Sequence, residues 1–128
     1  MNKKIIAIIP ARMGSSRFPG KPLAKINNNP MIGIVYNRTK QCELLKETYV
    51  ATCDQEIADY IKSIGGKTIM TSDKHERASD RTAEAMLKVE KQLGFKVDIV
   101  VMVQGDEPMV TSEMIKKSIN PFIDESIN

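Results

Sequence analysis

Residues 5–9 (Ile-Ile-Ala-Ile-Ile) form an unbroken apolar run in which four of five side chains are β-branched. A run of this kind suits a strand covered on both faces, and Pro10, with no N–H to donate, is expected to end it. Polar and basic residues follow up to Leu23. Asn27-Asn28-Asn29-Pro30 then reads as a turn and helix start, with an Asn as cap and Pro30 in the first helical position. Met31, Ile34, Val35 and Arg38 fall at helical spacing and predict a helix over 30–42. The β-rich stretch 47–52 predicts a second strand, closed by Cys53-Asp54. Asp54 is expected to cap a helix whose apolar stripe is Ile57, Ala58, Ile61 and Ile64, with Gly65-Gly66 at its end.

A third strand is predicted at 67–70, then a charged loop over 71–81. Ser79 or Asp80 is expected to cap the next helix, which Gly94 ends. The run 99–103 is again continuous and apolar and predicts a fourth strand, followed at once by Gln104-Gly105-Asp106-Glu107-Pro108. A short helix carrying Met114, Ile115 and Ile119 should begin near Thr111 or Ser112 and stop at Asn120-Pro121. The residues after it offer no strand to close the sheet.

Strands alternating with helices predict βαβ units, and so an α/β fold: a mainly parallel, doubly wound sheet with helices on both faces. Ligands of such sheets bind beyond the carboxyl ends of the strands, where strand order reverses. Three polar segments fall there: the opening loop, 71–81 and 104–108. The 128 residues suffice for a single domain, and no linker or repeat divides them.

Composition alters this picture little. With 41% hydrophobic and 27% charged residues the chain is an ordinary globular one, and a net charge of +3 gives no argument for a nucleic-acid or membrane partner. No apolar run approaches a membrane span or signal-peptide core, so a cytoplasmic location is expected. Cys42 and Cys53 fit no zinc spacing and read as free, buried thiols.

Local charge matters more. The opening loop presents Arg12, Arg17 and Lys21 with Ser15 and Ser16, held between Gly14, Pro19, Gly20 and Pro22. Arg offers a planar fork to phosphate oxygens and Lys a compact charge, so a phosphate cradle is favoured over a solvated basic loop. The spacing matches neither the dinucleotide-binding glycine pattern nor the P-loop. Asp106, at the end of a strand, is well placed to hold Mg²⁺ bridging to phosphates, although Gly-Asp is also plain turn chemistry. The 71–81 loop, with the single His75, reads by default as a solvated charge run, with Ser79 and Asp80 as alternatives for contacting a base or sugar. No Ser/His/Asp triad or Cys/His pair is present at convincing spacing.

The strings IIPARMGSSRFPGKPLAKINNNPMIGIVYNR, VATCDQEIADYIKSIGGKTIMTSDKHE and VVMVQGDEPMV resemble, in the same order, the 3-deoxy-manno-octulosonate cytidylyltransferases, also called CMP-Kdo synthetases. The resemblance runs from about Ile5 to Met114 and implies a Rossmann-like nucleotidyltransferase fold. It also implies transfer of CMP from CTP to an acidic keto-sugar, with Mg²⁺ as cofactor and release of pyrophosphate. By that carry-over Arg12 and Lys21 hold the triphosphate and Asp106 binds the metal, these three being the catalytic set. Ala11, Arg12, Gly14, Ser15, Lys21, Ser79 and Gln104 match nucleotide-site positions. The family's H-x-S-G-T-[DE]-R is here His75-Glu76-Arg77-Ala78-Ser79-Asp80-Arg81, with Ala-Ser for Gly-Thr. Family members are longer, with a second aspartate motif and a dimer surface in their second half. The chain therefore reads as the amino-terminal, nucleotide-binding half of a longer, homodimeric enzyme that activates a sugar for surface polysaccharide synthesis.

Overall fold

A computed structural model of the chain describes residues 3–14, 20–75 and 77–125. Strand β1 (Ile5–Pro10) is buried at every position. Strict alternation sends Ile5, Ala7 and Ile9 into one apolar layer and Ile6 and Ile8 into another, so the strand belongs to both cores. Each fully buried Ile contributes roughly 1.5–3 kcal/mol. Pro10 ends the strand as expected and is its last paired residue, opposite Ala51. Strand β6 pairs with β1 only as far as Ile8, so on that side Pro10 has no strand to donate to.

A single 3₁₀ turn (Lys21–Leu23) leads into a small hairpin of β2 (Lys25–Ile26) and β3 (Asn29–Pro30). Asn27 and Asn28 both adopt positive φ, as a two-residue primed turn requires. Helix α1 (Met31–Lys40) thus begins one residue later than expected, and no Asn side chain caps it. Its inward face is Ile32, Val35, Tyr36 and Thr39, rotated one position from the expected stripe, because the hairpin sets where the helix starts.

Strand β4 (Glu47–Thr52) pairs with β1, and α2 (Gln55–Ser63) returns the chain to β5 (Thr68–Met70). Helix α2 ends as the two glycines suggest. Gly65 takes a left-handed φ of 80° while its N–H reaches Lys62 O and that of Gly66 reaches Ile61 O, which satisfies two of the helix's last carbonyls. Helix α3 (Ala78–Leu93) crosses the opposite face to β6 (Ile99–Met102), and α4 (Ser112–Glu125) follows. Neither Ser79 nor Asp80 caps α3. Both lie inside its first turn, where Asp80 pairs with Arg77 at 3.7 Å and complements the helix dipole. Helix α4 also runs past Pro121, at the expense of one backbone hydrogen bond.

The sheet is fully parallel, in the order β5-β4-β1-β6. Helices α1, α2 and α4 pack on one face and α3 on the other. From β1 the chain departs toward β4, while β6 lies on the other side of β1. The order therefore reverses between β1 and β6, and a crevice opens above their carboxyl ends. Strand β6 is an edge of this sheet and is only half-buried, with Met102 exposed, although its continuous apolar run suits an interior position.

Candidate functional site

Three segments meet at that crevice. After β1, the Ala11 N–H extends the pairing by one step to Ala51 O at 2.9 Å, so Arg12 leaves from the carboxyl edge of the sheet. The main chain of Met13 is held on both sides, its N–H donating to Asp54 Oδ2 at 2.7 Å and its carbonyl accepting from Gly20 N–H at 2.8 Å. Gly20 has φ 79°, a left-handed turn, and hands the chain to Lys21 and Pro22 in the 3₁₀ turn. Arg12 and Lys21 therefore stand on either side of a closed neck. Ser15 and Arg17 lie outside the described residues.

After β6, the Val103 N–H donates to Ile8 O at 3.0 Å, and Gln104, Gly105 and Asp106 turn over the end of β1. Gly105 is needed for close approach, since a Cβ there would lie 3.0 Å from the Pro10 carbonyl oxygen. Asp106 Oδ2 faces Lys21 Nζ at 3.5 Å, with more than half of the Asp106 side chain exposed.

The third wall comes from the loop after β5 and the start of α3. Thr71 N–H donates to Thr52 O, and Arg81, only 3% exposed, donates from Nη1 to Thr71 Oγ1 at 2.5 Å and to Ser72 O at 3.2 Å. Glu84 accepts from the Ser72 N–H at 3.0 Å, pairs with Lys88 at 2.8 Å, and meets His75 Nε2 at 2.6 Å. These contacts, led by Lys88 and then the Ser72 amide and His75, hold its carboxyl at about 2, against an ordinary 4.5.

The three walls enclose a cleft of about 250 Å³. Ala11, Arg12, Lys21, Gln104 and Asp106, singled out from the sequence, all line it. Gly14 is exposed beside the neck and Ser79 on the outer side of α3, and neither lines the cleft. Helical geometry explains the second case: Ala78 and Arg81, three residues apart, share the face toward the cleft, and Ser79 lies off it. Sequence reasoning did not select His75, Arg77 or Arg81 as site residues, yet all three line the cleft. The phase of α3 was the available signal, once Arg81 is placed inside a helix rather than at the end of a loop. Cys42 is buried as expected, whereas Cys53 is only partly so, and both are free thiols.

Chemically, the lining is four permanent cations, Arg12, Lys21, Arg77 and Arg81, against one carboxylate, Asp106. A desolvated guanidinium such as that of Arg81, with no carboxylate partner among the described residues, favours acceptors brought by a ligand. The arrangement suits a polyanion. Among the described residues no cluster of three His, Cys, Asp or Glu could hold a metal ion by itself. No described helix is long and apolar enough to cross a membrane.

Similarity to known proteins agrees with this geometry. The family model described as cytidylyltransferase matches residues 6–125. A 3-deoxy-manno-octulosonate cytidylyltransferase of Trichlorobacter lovleyi is 49% identical over 120 residues, covering 94% of this chain and 45% of the relative. An 8-amino-3,8-dideoxy-manno-octulosonate cytidylyltransferase of Shewanella putrefaciens is 47% identical over 119 residues, 92% of this chain and 47% of its own. The solved structure of a CMP:2-keto-3-deoxy-manno-octonic acid synthetase complexed with CTP superposes with a TM-score of 0.89 at 41% identity, over 97% of this chain and 49% of that one. The chain spans about half the length of each of these proteins.

Proposed function

The chain belongs to the cytidylyltransferase family, and from that premise we propose that it is the nucleotide-binding half of an enzyme that transfers CMP from CTP to an acidic 3-deoxy-keto-sugar, releasing pyrophosphate. The observation that carries this reading is the meeting of Arg12 and Lys21 with Asp106 across one cleft, Lys21 lying 3.5 Å from the carboxylate. In the proposal Arg12 grips phosphate oxygens through its fork, and Lys21 compensates the charge that gathers on the departing pyrophosphate. Ala11 and Gln104 border the nucleotide, with Gly14, Ser15 and Ser79 further out. Arg81 bounds the same space from α3 and His75 from the loop before it. In-line transfer of a nucleotidyl group needs positioning and charge stabilisation and no covalent nucleophile.

Mg²⁺ fits this donor set, because that ion is commonly held by one or two carboxylates together with substrate phosphates, and Asp106 offers one accessible carboxylate. Asp106 would hold it, and the ion would supply charge neutralisation for the phosphates. The same reading makes the product an activated sugar for surface polysaccharide synthesis in the cytoplasm, and the working unit a homodimer of the full-length protein.

That the chain covers about half of its relatives favours a second reading, nucleotide binding without turnover by this chain alone. One experiment serves both. Calorimetry with CTP, ATP, GTP and UTP, with and without Mg²⁺, is expected to give preferential, Mg²⁺-strengthened binding of CTP. That binding should weaken about 10- to 100-fold in Lys21→Ala, the effect of losing a charge-assisted contact. A pyrophosphate-release assay with an acidic keto-sugar then separates turnover from binding. Failure to bind any nucleotide, or binding indifferent to both Lys21→Ala and Asp106→Asn, refutes the assignment.

A further inference from the structure

Asp54 occupies the N-cap position of α2, yet its side chain makes no capping bond. An aspartate there ordinarily turns its carboxylate to the free N–H groups of its own helix, a stabilising bond that is forgone here. Here the carboxylate reaches 41 residues back along the chain, to the Met13 N–H at 2.7 Å. That is a short, charge-assisted distance. The Asp54 residue is itself fixed, its N–H donating to the buried Thr52 Oγ1 at 3.0 Å and its carbonyl accepting from Ala58 N–H. On the other side of the same residue, the Met13 carbonyl closes the neck by accepting from Gly20 N–H. Arg12 precedes this clamped residue directly and Lys21 follows Gly20 directly, and both line the cleft.

We propose that Asp54 is a positioning residue for the anion-binding loop: it gives up helix capping in order to pin the Met13 peptide, and through it sets Arg12 and Lys21 at the mouth of the cleft. Asp54 is not among the residues lining the cleft, so its effect on a ligand is transmitted through the loop. The consequence for nucleotide affinity rests on the proposed CTP-binding function; the pinning itself does not.

Three variants of the chain separate the possibilities. Asp54→Ser keeps a good N-cap residue but is too short to reach Met13, Asp54→Asn keeps both an acceptor and the reach, and Asp54→Ala removes both. Amide hydrogen exchange without ligand is expected to show the Met13 and Gly20 N–H groups exchanging about tenfold faster or more in the Ser and Ala variants, and close to wild type in Asn. Calorimetry with CTP should show affinity weakened roughly tenfold in Ser and Ala and largely restored in Asn. Unchanged exchange at Met13 in Asp54→Ser overturns the proposal, as does wild-type CTP affinity in that variant despite loosened amides. If the wild-type chain binds no nucleotide, the cytidylyltransferase reading fails, and the exchange data alone decide whether Asp54 pins the loop.

Discussion

Replacing Glu84 by Gln removes one charge and keeps the length and shape of the side chain. Glu84 is the hub that ties the wall of the cleft to α3: it accepts from the Ser72 amide, pairs with Lys88, which also donates to Met70 O, and meets His75 at the cleft lining. Lowering its carboxyl from 4.5 to about 2 corresponds to roughly 3 kcal/mol of preference for the ionised form. A quarter of the side chain faces water, and solvent screening leaves about 1–2 kcal/mol of that as folding stability. The sign follows from proton linkage. The folded state holds the group ionised below the pH at which the unfolded chain protonates it. The contribution is therefore complete above about 4.5 and is lost as pH falls from there toward 2. Urea unfolding of wild type and Glu84→Gln, repeated from about pH 7 down to pH 3, measures it. The variant should lose about 1–2 kcal/mol at neutral pH, a fall of about 3–8 °C in Tm, and should converge on wild type as the solution is acidified. Parallel stability curves across the whole range would refute the reasoning, since Glu84 would then contribute nothing that depends on its charge.

Two changes one turn apart on α1 should act in opposite directions. Thr39 is fully buried, with no hydrogen-bond partner for its hydroxyl among the described residues. Thr39→Val is expected to raise stability by about 1 kcal/mol, and a lowered urea midpoint would mean the hydroxyl has a partner after all. Tyr36 Oη accepts from the Lys67 N–H at 3.2 Å, just before β5, so Tyr36→Phe should cost about 1 kcal/mol, an effect an unchanged midpoint would exclude.

What the sequence made legible was governed by the range over which each feature is decided. Strands β1, β4 and β6 and the Gly-terminated ends of α2 and α3 are written in contiguous residues, and each was found where its run or its glycine lies. The β2–β3 hairpin escaped because its strands are two residues long and its turn is Asn-Asn, without the glycine that usually marks a primed turn. Missing it also moved the phase of α1 by one position. The edge position of β6 could not be inferred from composition, since a continuous apolar run argues only for burial. At the site, Arg12, Gln104 and Asp106 were found because they lie in the segments leaving β1 and β6, and Lys21 because it belongs to the same basic, glycine- and proline-rich loop. Arg81 and His75 depended on where α3 begins, and the task of Asp54 on a contact spanning 41 residues, which no local pattern encodes.

The approach of Gly105 to the Pro10 carbonyl has a bearing on how such a cleft can diversify. The loops carrying the cationic and the acidic side of the cleft meet there main chain against neighbouring residue, in a space with no room for a Cβ to be added comfortably. The gap between those loops is thus fixed by backbone, whereas Arg12, Lys21, Gln104 and Asp106 project from it as side chains. Substitution at these projecting positions changes what the cleft attracts and leaves its width alone, so ligand preference can drift among anions of similar size within an unchanged frame.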